Sequence, residues 1–170
     1  MHRLILLLFI LLPIPALATV FVPVDFNEMV TASQAIVQGR VIDVRSDVTL
    51  DRGSIESFVT LDVARSLKGN LGSRVTFKVP GGQVGRYRLI VVGAPHFKAD
   101  DNVIVFLSAR GPSIPYVFGL SQGVYRIARN ENGREVVTPP PIVASGAAVE
   151  RVVRGDPARR LLSVSEFANQ

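Results

Sequence analysis

The chain has no cysteine and no tryptophan, and only two histidines and two methionines among its 170 residues. Without cysteine there is no disulfide framework, no thiolate-ligated zinc or iron–sulfur site, no thiol nucleophile and no lipid-modified N-terminal Cys. One of the two histidines is His2, so imidazole chemistry rests on His96 alone. Acidic residues are also scarce, 14 against 19 basic ones, for a formal net charge of +5. Sixteen of those 19 are Arg and three are Lys. A bias of that kind follows codon composition as readily as it follows a ligand. The charge is modest beside the focused stripe of a nucleic-acid-binding surface, and aromatics at 7% leave few stacking platforms. No nucleic-acid partner is expected. The Arg151–Arg160 cluster is the one place suited to an anionic polymer or head group.

What is abundant is apolar residues, 48% of the chain, against a charged fraction of 19%. That balance excludes a disordered protein and suits one ordinary domain. The first 18 residues read as a secretory signal peptide. Arg3 supplies the positive start, Leu4–Leu12 is an unbroken apolar run of nine, and Pro13 and Pro15 precede Ala16-Leu17-Ala18, a small-x-small cleavage site. Nine residues reach roughly 14 Å as a helix, half of the hydrocarbon core. Cleavage near Ala18 is expected, with export to the periplasm or beyond and no membrane span afterwards. A domain of this size buries enough surface to stand outside the cytoplasm without disulfides.

Along residues 19–141, Val, Ile and aromatic residues recur in short runs broken by Gly, Pro and Asn, which predicts a mainly β domain. A short helix opens it: Asp25 is the N-cap, with Phe26, Met29 and Val30 on one face. Strands are predicted over 36–45, 56–67, 74–79, 88–92, 103–107, 116–120, 124–129 and 134–137. Gly39 marks a bulge or close backbone approach inside the first. Val75, Phe77 and Val79 point inward, as do Val59, Leu61 and Val63. Val103–Leu107 is apolar on both faces and therefore central. Phe77, Val79, Leu61, Val63, Val105 and Leu107 are the expected core. Asn132-Gly133 signals a hairpin turn, and Pro139-Pro140-Pro141 stops the sheet. Residues 142–170 form an Arg/Ala-rich tail ending in a short helix, whose start is marked by a capping box, Ser163 with Glu166. Six to eight short strands fit a small closed or nearly closed OB-like barrel, which removes exposed edges; a β-sandwich is the alternative.

Four motifs suggest chemistry, and each has a plainer reading. Gly119-Leu120-Ser121-Gln122-Gly123 matches the G-x-S-x-G nucleophile elbow, but a strand rather than a helix is predicted after it and no histidine follows. A glycine-flanked turn is preferred, and no catalytic residue is assigned. His96 lacks partners of the right type for a base or metal ligand, so a loop histidine is preferred and no metal or cofactor is expected. Pro80-Gly81-Gly82-Gln83-Val84-Gly85 lacks the Gly-Lys-Ser/Thr of a phosphate loop and reads as a wide turn with positive-φ glycines. Asp43, Asp47, Asp51, Asp100 and Asp101 read as solvated turn carboxylates, too few and too spread for a calcium loop.

The helix entering Ile36-Val-Gln-Gly-Arg-Val41, the strand end Val63–Gly69, and Val75–Gly82, Gly93–Phe97, Val103–Leu107 and Gly119–Tyr125 together resemble a family of uncharacterised exported bacterial proteins. Their pattern is similar to the netrin-like, tissue-inhibitor-of-metalloproteinase-like version of the OB barrel. The resemblance spans about residues 26–138 and the helix start at Ser163. It implies a five-stranded barrel with attached strands and helices and no established enzyme activity. The eukaryotic inhibitors use an N-terminal cysteine, which this chain lacks, so no functional residue carries over. The resemblance makes a secreted metalloprotease a conceivable partner.

The expected function is therefore an exported, non-catalytic binding or interaction module. An accessory protein or inhibitor of a secreted protease is the alternative, and a serine-type hydrolase using Ser121 or His96 a second one. The binding surface is expected in three loops, Ser46–Gly53, Gly81–Arg86 and Ala94–Asp101, around Gly81, Gly82, Arg86, His96 and Phe97.

Overall fold

The computed structural model describes residues 23–49, 53–109, 111, 113–140 and 162–169. The leader, Asp51 and the Arg151–Arg160 cluster lie outside the described residues. The chain is mainly β. Helix α1 (Phe26–Ala32) begins at Asp25, whose carboxylate accepts from the backbone N–H groups of Asn27 and Glu28. The strands are β1 (Ala35–Val48), β2 (Ile55–Lys68), β3 (Arg74–Pro80), β4 (Gly82–Val84), β5 (Tyr87–Leu89), β6 (Asn102–Ser108), β7 (Tyr116–Val117), β8 (Val124–Arg129), β9 (Glu135–Thr138) and β10 (Leu162–Ser163). A short 3-10 helix, Leu120–Gly123, links β7 to β8, and α2 (Val164–Ala168) ends the described chain.

Five strands close on themselves in the order β1-β2-β3-β7-β6-β1, with β3–β7 parallel and the other pairs antiparallel. The long β1 makes this possible. Its first half, Ala35–Arg40, pairs with β2 on one side and β6 on the other, while the rest pairs with β2 alone. Gly39 sits at a register shift in the β1–β2 ladder. A Cβ there would collide with the Asp62 carbonyl oxygen across the ladder, so only glycine lets the two backbones come this close. The bulge and close approach expected at Gly39 are both present.

β6 separates two cores. Val103, Val105 and Leu107 face the interior of the strand cycle with Val37, Val59, Leu61, Val75, Phe77 and Val79. Ile104 and Phe106 point the other way, into a second cluster with Met29, Tyr125, Val137 and Phe167. That division explains why the run 103–107 is apolar at every position: period-2 alternation delivers side chains to two different cores. Of the expected core residues, only Val63 is not fully buried.

The second core is closed by α1 and α2. Phe26 of α1 packs edge-on against Phe106, Tyr125 and Phe167, at centroid distances of 6.0, 6.2 and 5.6 Å. Such edge-to-face pairs are favoured by the ring quadrupole. The capping box read from the sequence is formed: Ser163 Oγ accepts from Glu166 N–H, and Glu166 Oε2 accepts from Ser163 N–H at 2.8 Å. Among the described residues, no helix is long and apolar enough to cross a membrane.

Several boundaries differ from those expected. Ser46, Asp47 and Val48 belong to β1 rather than to a polar loop, because cross-strand pairing with β2 continues to Val48–Ile55. The 88–92 strand shrinks to Tyr87–Leu89, since its partner β4 offers only three residues. The glycine-rich stretch is therefore half a hairpin rather than one wide turn. The 116–120 strand ends at Val117, where Gly119 (φ 65°) and Leu120 (φ 56°) take left-handed conformations and start the 3-10 turn. The strands expected over 36–45 and 56–67 are present and longer, at 14 residues each. β10 was not anticipated at all; it pairs with β9 and carries α2 onto the second core.

Candidate functional site

The β4–β5 hairpin forms a second, two-stranded sheet beside the ends of β1 and β2. It is held there by a short polar chain. Ser57 Oγ is within 2.7 Å of the Gly81 carbonyl and within 2.9 Å of Ser46 Oγ. A hydroxyl has one proton, and Ser57 spends it on Gly81, so Ser46 must donate to Ser57. Ser46 Oγ in turn accepts from Gln83 N–H at 3.2 Å. The order of donation is thus Gln83 to Ser46 to Ser57 to Gly81, and neither serine proton is left for chemistry. Gly81 N–H donates to the Ile55 carbonyl, fixing the hairpin's base.

Gly82 lies directly over the two serines, at φ 146°, and a side chain there would run into both hydroxyls. Gly82→Ala is expected to lift the hairpin and destabilise the protein by about 1–3 kcal/mol. Amide exchange at Gly81 and Gln83 should accelerate well beyond the global change. Unchanged exchange at those two amides would show that the serine chain does not seat the hairpin.

The opposite wall is the segment 94–97, and it too is fastened. Arg126 donates through Nη1 to Asp101 Oδ2 at 2.8 Å and through Nη2 to the His96 carbonyl. Asp101 Oδ2 also accepts from Lys98 N–H, and its backbone exchanges bonds with Val41 on β1 together with Asp100. Asp101 is therefore no solvated turn carboxylate: its side chain is only 11% exposed and serves as the loop's anchor. Asp100 does sit at the surface, at φ 69°, paired with Arg40 at 3.1 Å. Phe97 turns inward and meets the Phe77 ring edge-on at 5.4 Å, so it belongs to the core as much as to the loop.

Between these walls lies a cleft of about 320 Å³. Its floor is Val59, Val79 and Phe97, and its rim carries Ser46, Arg88, Ile90 and His96. Among the described residues, no Asp or Glu lines it. Its lining mixes apolar side chains with polar groups, one guanidinium and one imidazole among them, which suits an apolar group joined to a hydrogen-bond acceptor or anion. Of the residues singled out in the sequence, Gly81, Gly82, His96 and Phe97 come together here. Arg86 does not: it turns away, its guanidinium 5.2 Å from the Tyr87 ring centroid. Sequence reading missed Ser57 and reached Ser46 only as the first residue of an expected loop. Their signal was present, since each serine interrupts an otherwise apolar period-2 stripe, Val44-x-Ser46-x-Val48 and Ile55-x-Ser57-x-Val59.

Ser121 is in the 3-10 turn, where its N–H donates to the Gly93 carbonyl, and it is not part of the cleft lining that holds His96. A strand, β8, follows it, as expected, where a nucleophile elbow has a helix. Among the described residues, no three His, Asp or Glu side chains are grouped closely enough to hold a metal ion.

Comparison with protein-family models, curated proteins and solved structures gives no match. The functional reading therefore stands on the geometry of this chain.

Proposed function

We propose that the protein is an exported, non-catalytic binding module on an OB-like barrel, and that the cleft between the β4–β5 hairpin and the 94–97 segment is its binding site. The barrel reading is supported by the cyclic five-strand order, by the single parallel pair that closes it, and by a bulged first strand shared between two neighbours. The helices and strands attached outside that cycle accord with the netrin-like version of the fold. Export rests on the N-terminal leader pattern.

The observation that carries the binding reading is the way the cleft's polar groups are already used. Both serine hydroxyls in the lining are consumed in seating the hairpin, and outside the lining the Asp101 carboxylate is consumed in fastening the opposite loop. What remains is a preformed apolar floor with Arg88 and His96 at its rim, a site organised to receive a group rather than to transform it. Its partner is then another exported molecule offering an apolar side chain next to an acceptor, with a secreted protease as one such class.

Ala94 lines the cleft, so Ala94→Trp fills it without touching either wall's fastening. Immobilised wild-type protein should retain a specific component of envelope extract or culture supernatant, and Ala94→Trp should lose it while keeping the wild-type circular dichroism and urea midpoint. Equal retention by both proteins would move the site elsewhere, and no retained component at all would remove the reading.

A further inference from the structure

One side of the cleft is a bare strand edge. In an antiparallel ladder each residue turns its backbone N–H and C=O together, alternately to one neighbouring strand and to the other. Three bonds fix that phase here. The Ile55 carbonyl accepts from Gly81 N–H, Val63 N–H donates to the Ser73 carbonyl, and Lys78 N–H donates to the Pro115 carbonyl, away from β2. Ser57, Val59 and Leu61 therefore turn their backbone groups to β3, and the residues opposite them on β1 turn theirs away from β2. Those residues are Ser46, Val44 and Val41.

Val41 is satisfied. It exchanges backbone bonds with Asp100 and Asp101, which continue the line of β6 along β1. Beyond that point the ladder lapses: among the described residues, no backbone bond joins 94–97 to β1. Val44, Ser46 and residues 94–97 all line the cleft, so the cleft occupies the place where a further strand would run. The backbone groups of Val44 and Ser46 have no partner among the described residues. The edge closes again at Val48, whose N–H faces the same way and donates to Asp47 Oδ1 at 2.8 Å.

An unpaired strand edge is complementary to another extended backbone, which offers donors and acceptors at the same spacing. Side chains of an added strand alternate, so every second one falls on the cleft face with Val44, Val59 and Phe97. Arg88 and His96 in the lining favour an acceptor or carboxylate beside it.

We propose, on the reading that this cleft is the binding site, that it takes an extended peptide segment as an added strand on Val44–Ser46 of β1. Backbone bonds hold the segment, and one apolar side chain fills the floor.

The test is amide exchange and chemical shift, read residue by residue by nuclear magnetic resonance. In the free protein, the amides of Val44 and Ser46 should exchange fast, while those of Asp43 and Arg45, bonded to β2, exchange slowly. The probe is a pool of acetylated, amidated pentapeptides with glutamate at the centre, threonine at both ends, and valine, leucine or phenylalanine between. With peptide bound, both edge amides should move downfield and slow by at least about tenfold. Val44→Pro removes an outward N–H without breaking a bond to β2, so binding should fall by about tenfold or more at a near-wild-type urea midpoint. Peptide-induced shifts at Ala94 and Phe97 with none at Val44 and Ser46 would keep the cleft as the site and overturn the added strand. Binding that Ala94→Trp does not weaken would remove the cleft reading, and this one with it. Shifts from no peptide in the pool would overturn the proposal. So would edge amides already protected in the free protein; protection that rises with protein concentration would give the edge to a second copy of the chain.

Discussion

Phe77→Ala is expected to lower the unfolding free energy by about 3–5 kcal/mol. The ring is fully buried, inside the strand cycle, and touches Phe97 on the cleft floor. Its neighbours Val59, Val79, Val105 and Leu107 are carried on three strands of the cycle, β2, β3 and β6, so the space left by the ring cannot simply collapse. In urea the midpoint should drop while the slope stays at its wild-type value, because the same surface is exposed on unfolding. The cleft should also loosen, seen as faster ring flipping of Phe97. A loss under about 1 kcal/mol would mean that Phe77 is not in a close-packed interior.

Phe167→Ala is expected to cost about 3 kcal/mol, toward the lower end of the range for a buried aromatic, because the ring retains slight exposure on a five-residue helix. It meets Tyr125 at 4.9 Å and Phe26 at 5.6 Å, so its removal opens the contact that joins α1 and α2. Amides of β9, β10 and α2 should lose exchange protection before those of β1–β3. Phe77 and Phe167 belong to different clusters on opposite faces of β6, and their effects should add to within about 0.5 kcal/mol. A change under about 0.5 kcal/mol for Phe167→Ala would show that α2 does not dock.

Where backbone and side-chain patterning act locally, the fold was legible. Asp25 as a cap, the Ser163–Glu166 box, the inward faces of β2 and β3 and the Gly39 bulge each follow from a few adjacent residues. The double-sided burial of Val103–Leu107 was legible as a central position, although nothing in the run says that two cores lie on either side. What failed was set by partners distant in sequence. β10 is two residues long and exists because β9 has a free edge. β1 extends through Ser46–Val48 because β2 supplies a matching edge there. Asp101 looks like any turn acid until Arg126, 25 residues on, is folded beside it.

The candidate site follows the same division. Glycine-rich and proline-bounded stretches located both walls, and Gly81, Gly82, His96 and Phe97 do meet around one cleft. Arg86 was placed with them only because it is near in sequence. Arg88 lines the cleft from the middle of β5, whereas Arg86 lies in the turn before that strand and stacks on Tyr87.

The cleft depends on a hairpin seated by two serines across from a loop that lays an aromatic ring on the floor, and it exists before anything enters it. The most direct measurement is a nuclear Overhauser spectrum of the ligand-free protein. Cross-peaks are predicted from the Gly82 Hα protons to the Ser46 and Ser57 Hβ protons, and from the Phe97 ring to the Phe77 ring. Random-coil shifts through residues 82–89, with neither set of cross-peaks present, would contradict it.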